Sequence, residues 1–134
     1  MDKTIVGLDL SLTSTGWFII DKDKKEYGEI KTNPKKFTNI IERCEYIADT
    51  IIEKIKKLNK VDLIIMEDYF SGTNSQTVIL LATLGTIVRY KLLENNLSYI
   101  TVMPTQIKKY ETGNGNAHKD NILKSIFKNH QVDV

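Results

Sequence analysis

The chain has 134 residues, 41% of them hydrophobic and 27% charged, with a formal net charge of +2. That is enough for one folded domain with a core of its own, and it excludes a disordered polyelectrolyte or a strongly basic tail, though not a local patch for nucleic acid. Cys44 is the only cysteine, which excludes a disulfide framework within one chain and makes a reducing compartment, the cytoplasm, the natural expectation.

Val6, Leu8 and Leu10 alternate with Gly7, Asp9 and Ser11, which predicts a first strand over 3–10. Asp9 sits among its apolar neighbours. An acid there is disfavoured by strand propensity and costly if buried unpaired, so a metal ion, a basic partner or a proton to move is expected beside it. After a polar turn, Thr15-Gly16-Trp17-Phe18-Ile19-Ile20 reads as a second strand, and Glu26-Tyr27-Gly28-Glu29-Ile30-Lys31 as a third with one wet face. Two hairpins in succession imply an antiparallel meander.

Thr32-Asn33-Pro34 breaks the sheet. Phe37, Ile40, Ile41, Cys44, Ile47, Ala48, Ile51, Ile52, Ile55 and Leu58 then recur at helical spacing, with Arg43, Glu45, Asp49, Lys54 and Lys57 mainly on the other side and Asn59 placed to cap the end. Cys44 on the apolar stripe reads as a small core residue rather than a reactive thiol. Val61-Asp62-Leu63-Ile64-Ile65-Met66-Glu67 is near-continuous, as expected of a central strand covered on both faces. Residues 76–94 read as a second helix, apolar nearly all round at its N-terminal end. Such a helix is either internal or has a second face covered by a partner. Gly85 within it costs about 1 kcal/mol relative to Ala, for which close backbone approach is the usual reason. No apolar run approaches the roughly 18 residues needed to span a bilayer, and no signal peptide or membrane partner is expected. Leu97–Val102 makes a fifth strand. A short helix from Gln106, a Gly- and Asn-rich loop over 112–116 and a last helix follow. The order is that of an α/β domain with one mixed sheet.

Strand ends are where α/β sheets place their sites. Asp9 lies late in the first strand and Glu67 closes the fourth. Were those strands neighbours, the two carboxylates would converge, and one would take up a proton unless a cation lay between them. Mg²⁺ prefers such hard oxygen donors, and a pair of ions activates water and stabilises the leaving oxygen in phosphodiester hydrolysis. The plain alternatives are an acid paired with a lysine or capping a turn. Asp68 points away from Glu67 if the strand continues. Lys108, Lys109 and Lys119 flank the Gly-rich loop, a pattern that suits phosphates, and Phe70 is placed to stack on a base. A solvated lysine face and a core phenylalanine are the competing readings.

Ile5-Val6-Gly7-Leu8-Asp9 with Ser11 and Thr15-Gly16-Trp17 resembles the opening of RuvC-type Holliday-junction resolvases. Ile64-Ile65-Met66-Glu67-Asp68-Tyr69-Phe70 looks like that family's second acidic motif, with its aromatic three residues after the glutamate. Pro104-Thr105-Gln106-Ile107-Lys108-Lys109, and then Thr112 to Lys119, resembles its basic loop and last helix. The first motif alone is shared with actin-like ATPases, which need a second lobe for which this chain has no room. The resemblance implies an RNase H-like fold: a five-stranded mixed sheet, its first three strands antiparallel and its fourth and fifth parallel, with helices on both faces. It implies a homodimer and Mg²⁺- or Mn²⁺-dependent cutting of branched DNA such as the four-way junction. Asp9 and Glu67 would be metal ligands and catalytic, Phe70 would meet the junction bases, and Lys108 and Lys119 the phosphates. The lysine-rich third motif suggests a phage or mobile-element member.

One departure stands out. The family's remaining carboxylates form a spaced pair opening one more helix, beyond its last lysine. Here Asp133-Val134 falls where that helix would begin, and Asp120 comes too early. The expectation is one domain over 1–134 lacking its last helix. The alternative is an RNase H-like module that binds DNA without cutting it.

Overall fold

The computed structural model describes residues 3–67 and 76–102. They form strands β1 (Thr4–Asp9), β2 (Ser14–Asp21) and β3 (Lys24–Lys31), helix α1 (Ile40–Lys56), strand β4 (Leu63–Glu67), helix α2 (Gln76–Glu94) and strand β5 (Ile100–Val102). The five strands make one sheet in the order β3-β2-β1-β4-β5. β1, β2 and β3 pair antiparallel, whereas β4 runs parallel to β1 and β5 to β4. The expected meander and crossovers are therefore present, and β1 lies in the middle.

Alternation along the strands sorts the core into two layers. Val6, Leu8, Leu10, Ile19, Ile30, Ile64 and Met66 meet Cys44, Ile47, Ala48, Ile51, Ile52 and Ile55 of α1 and Leu84, Val88 and Leu92 of α2. Ile5, Phe18, Ile20, Ile65 and Val102 form the other layer. Among the described residues both long helices thus lie on one face of the sheet. β4 is buried on both sides, as its unbroken apolar run predicts.

The entry of β4 is fastened to β1 by a reciprocal pair. Thr4 N–H donates to Asp62 Oδ2 at 2.7 Å, and Asp62 N–H donates to the Thr4 carbonyl at 2.8 Å. The Thr4 amide holds the Asp62 carboxyl below its usual range, helped by Lys60. This lock fixes the register in which Ile5 faces Leu63.

α1 departs from its sequence reading at both ends and at two positions in its first turn. Pro34–Lys36 forms a separate 3-10 turn, and the α-helix starts only after Asn39, whose side chain accepts from Glu42 N–H at 2.9 Å. Its C-cap is Lys57, not Asn59. Ile41, expected in the core, is 55% exposed, and Arg43, expected on the wet side, is buried. Cys44 is fully buried, and burial pushes its thiol pKa up, so it is an inert core residue.

α2 has two faces. Leu84, Val88 and Leu92 are fully buried, whereas Ile79, Tyr90 and Leu93, on the opposite side, are each more than 60% exposed. Thr83 and Thr86 stand between them with their hydroxyls turned back to the carbonyls of Ile79 and Ala82, leaving methyls outward and the stripe apolar. By length and hydropathy alone this helix would suffice to cross a bilayer, contrary to the sequence reading. Its inner edge packs on the sheet instead, and Lys91 reaches Glu45 and Asp49 of α1. The helix ends in a Schellman turn: Asn96 takes φ 59° and Leu97 N–H donates to the Leu92 carbonyl at 2.9 Å, which turns the chain towards β5.

Gly85 does not mark the close backbone approach expected. A methyl there would meet only Arg89 Nη2 at 3.5 Å and Leu10 Cδ1 at 4.0 Å, ordinary contacts. Gly85→Ala is therefore expected to stabilise the protein by up to about 1 kcal/mol. That raises the melting temperature by roughly 3–5 °C for a domain of this size, measurable by thermal denaturation; a fall would show that the helix needs its bare backbone.

Candidate functional site

β1 and β4 are neighbours, with Leu8 opposite Met66. One step further along both strands sets Asp9 beside Glu67. Leu8 and Met66 belong to the helix-covered layer, so alternation turns Asp9 and Glu67 to the opposite face, the side of Ile5 and Ile65. Adjacent strands are about 4.8 Å apart, which brings two same-side carboxylates within reach of one ion.

The surroundings of the pair are uneven. On the β2 side Asp9 faces Gly16, which has no side chain, and on the β5 side Glu67 faces Val102. Asp9 is exposed and Glu67 half-buried. Asp9 is therefore not the buried strand acid its sequence context implies: it ends the strand, where the carboxylate reaches the rim of the sheet. Both residues have interactions within the protein. Two hard oxygen donors on one open rim suit Mg²⁺ or Mn²⁺ better than a soft-ligand metal. Among the described residues no third acid, histidine or cysteine joins them.

Beyond Asp9 the chain makes a tight turn, Ser11–Ser14, before entering β2. Thr15, fully buried, accepts from Ser11 N–H at 3.2 Å and donates to the Ser11 carbonyl. Ser14 N–H donates to Ser11 Oγ at 3.3 Å. From behind, Arg43 Nη2 donates to the Leu12 carbonyl at 3.1 Å, and its Nε donates to Thr32 Oγ1 at 2.8 Å. Thr32 Oγ1 in turn donates to the Leu12 carbonyl. Sequence reading placed Arg43 on the solvent side. The overlooked signal is its spacing: four residues before Ile47 and eight before Ile51, it continues the apolar stripe.

Of the residues expected at the site, Asp9 and Glu67 are brought together. Phe70, Lys108 and Lys119 lie outside the described residues, as does Asp68.

Residues 5–129 match the family model for crossover junction endodeoxyribonuclease RuvC. Two curated relatives of that name are the Fusobacterium nucleatum protein, 32% identical over 92% of this chain and 66% of its own length, and the Rickettsia felis protein, 34% identical over 91% of this chain and 80% of its own. The chain thus spans just under two thirds of the F. nucleatum relative. These relatives are bacterial and lend no support to a phage or mobile-element origin. Among solved structures, Thermus thermophilus RuvC in complex with a Holliday junction substrate superposes with a TM-score of 0.69 at 15% identity, covering 94% of this chain and 77% of that one. The yeast mitochondrial Holliday junction resolvase Ydc2 gives a TM-score of 0.56 at 11% identity, over 97% of this chain and 65% of that one. Both share the fold: the mixed sheet and its strand order are those expected of an RNase H-like domain.

Proposed function

The chain belongs to the RuvC family of crossover junction endodeoxyribonucleases, and from that premise we propose that it is a metal-dependent endonuclease that cuts four-way junctions or other branched DNA by phosphodiester hydrolysis. The observation that carries this reading is the register of β1 and β4, which sets Asp9 and Glu67 side by side on the rim of the sheet, away from the helices.

In this reading Asp9 and Glu67 hold Mg²⁺ or Mn²⁺. The bound metal supplies an activated water and charge stabilisation for the leaving oxygen. The protein's own part is positional. The central strands fix the backbone beneath both carboxylates, so the two side chains start from neighbouring points on one side of the sheet when the ion arrives. Gly16 adds no side chain on the β2 flank, which suits the approach of a sugar-phosphate chain. Phe70 stacks on junction bases, and Lys108 and Lys119 hold phosphates. The protein would act in the cytoplasm, where its DNA substrate is.

A homodimer completes the reading. The outer stripe of α2, Ile79, Tyr90 and Leu93 with two threonine methyls, is an apolar surface of the kind that a second copy covers. Two sites related by a two-fold axis suit paired nicks in a symmetric junction.

The test is incubation of the protein with a synthetic four-way junction and Mg²⁺ or Mn²⁺. Symmetric nicks that require the metal support the proposal. Tight junction binding with no nicks under either metal would favour a module that binds without cutting.

Phosphate contacts make binding salt-dependent. The slope of log K against log salt is expected to fall in magnitude by about one for each of Lys108→Ala and Lys119→Ala, measured by fluorescence anisotropy on a labelled junction. An unchanged slope removes that lysine from the interface.

A further inference from the structure

Arg43 is a charged side chain in the first turn of α1, only 8% exposed, on the far side of the sheet from Asp9 and Glu67. Its hydrogen bonds go to neutral oxygens: Thr32 Oγ1 at 2.8 Å, the Leu12 carbonyl at 3.1 Å and the Thr32 carbonyl at 3.4 Å. A buried guanidinium that meets carbonyls instead of a carboxylate contributes shape as well as charge. Its rigid fork of donors spans two chain segments at once, which no other side chain does in this way.

The segments it joins are the turn after Asp9 and the exit of β3. Thr32 N–H donates to the Thr13 carbonyl at 3.0 Å, and Thr32 Oγ1 donates to the Leu12 carbonyl. Arg43, Thr32 and Leu12 therefore form one closed knot behind the turn. The turn's own side chains do not close it fully, since Ser14 Oγ is buried with no hydrogen-bond partner. Asp9 is the last residue of β1, and only Leu10 separates it from this turn. What holds the turn also holds the end of the strand that carries the acid.

We propose that Arg43 is a positioning residue. Acting through the Leu12 carbonyl and Thr32, it fixes the Ser11–Ser14 turn and so sets the direction of the Asp9 carboxylate at the metal. This rests on the reading of Asp9 as a ligand. It assigns to α1, a helix on the opposite face, a part in metal affinity.

The experiment compares Arg43→Met, Arg43→Lys and Thr32→Val with the unaltered protein and with Ile55→Val, a core control at the other end of α1. Mn²⁺ binding is titrated calorimetrically without DNA, amide exchange is followed at Ser11 and Ser14, and single-turnover cleavage and junction binding are measured below the unfolding transition. Loss of a group bonded directly to a metal ligand weakens metal binding by about 10- to 100-fold, and Arg43, which acts one step further back, is expected at the low end of that range. Arg43→Met is expected to weaken Mn²⁺ binding at least tenfold, to speed exchange at both serines and to slow cleavage in proportion, with junction affinity within about twofold. Arg43→Lys, which retains a donor but not the fork, is expected to fall between. Ile55→Val is expected to leave Mn²⁺ affinity unchanged. If Arg43→Met does not fold, Thr32→Val, which removes the shared hydroxyl, carries the same expectation. Unchanged Mn²⁺ affinity in the folded knot variants, while Asp9→Asn abolishes it, overturns the role of Arg43 and leaves the metal reading intact. Unchanged Mn²⁺ affinity in Asp9→Asn itself would instead overturn the underlying reading.

Discussion

Asp9→Asn is expected to lower single-turnover cleavage of a four-way junction by at least about 10³-fold while leaving the protein folded and bound to DNA. A metal ion contributes several kcal/mol of transition-state stabilisation, and each 1.36 kcal/mol is tenfold in rate. Asn keeps the shape of Asp but lacks the charge that holds the cation. The fold should not suffer, because the residue is exposed at the end of β1 and contributes nothing to either core layer. Junction affinity measured without metal should stay equal or rise, since one negative charge beside the phosphates is gone. Glu67→Gln should behave alike. Gel-resolved nicking and circular dichroism of the same samples decide the matter: cutting by Asp9→Asn at more than a tenth of the original rate removes this residue from the chemistry.

Gly28→Ala is expected to destabilise the fold by about 1–3 kcal/mol, against its backbone tendency. In a strand interior, Ala is ordinarily better than Gly by roughly 0.5–1 kcal/mol, because glycine loses more conformational freedom on folding. Here the cross-strand partner reverses the sign. Gly28 lies opposite Trp17, and a methyl on Gly28 would sit 2.7 Å from Trp17 Cζ2 and 2.9 Å from Cε2. A ring that gives way must also leave Lys54 Nζ, which stands over it 4.4 Å from its centroid in a cation–π contact. Overpacking therefore outweighs the entropy gain. Urea denaturation followed by circular dichroism measures the difference, and a stability equal to or above the original would show that Trp17 moves freely. The contrast with Gly85, where a methyl has space, lies in the neighbour each glycine faces.

Much of the fold was legible because periodicity is a local property. The three alternating strands, the stripe of α1 and the continuous apolar run of β4 each state their burial in adjacent letters, and each was found in the expected order. The pairing of Asp9 with Glu67 was legible only conditionally. Nothing in either strand says that β1 and β4 are neighbours; the reciprocal bonds of Thr4 and Asp62 do that, across 58 residues. Arg43 misleads because its charge argues for solvent while its position continues the apolar stripe. Two of the three oxygens that accept from it, the carbonyls of Leu12 and Thr32, are backbone groups that every residue has, and the third, Thr32 Oγ1, lies 11 residues away, just past the end of β3. Ile41 misleads for the opposite reason: it keeps the period of the stripe, but the covered side of the first turn is the one that carries Ile40 and Arg43.

Trp17 is the only tryptophan in the chain. It pairs with Leu8, next to Asp9, yet alternation turns its indole to the helical side of the sheet. Its emission therefore follows the packing of β2, β3 and α1, while the carboxylates stand on the other face with the backbone layer between. The same sample thus carries two separate optical channels: ultraviolet emission for the integrity of the scaffold, and a dye on the DNA for the junction. A variant that loses cutting with its indole spectrum intact has lost chemistry, and one whose spectrum shifts has lost its frame.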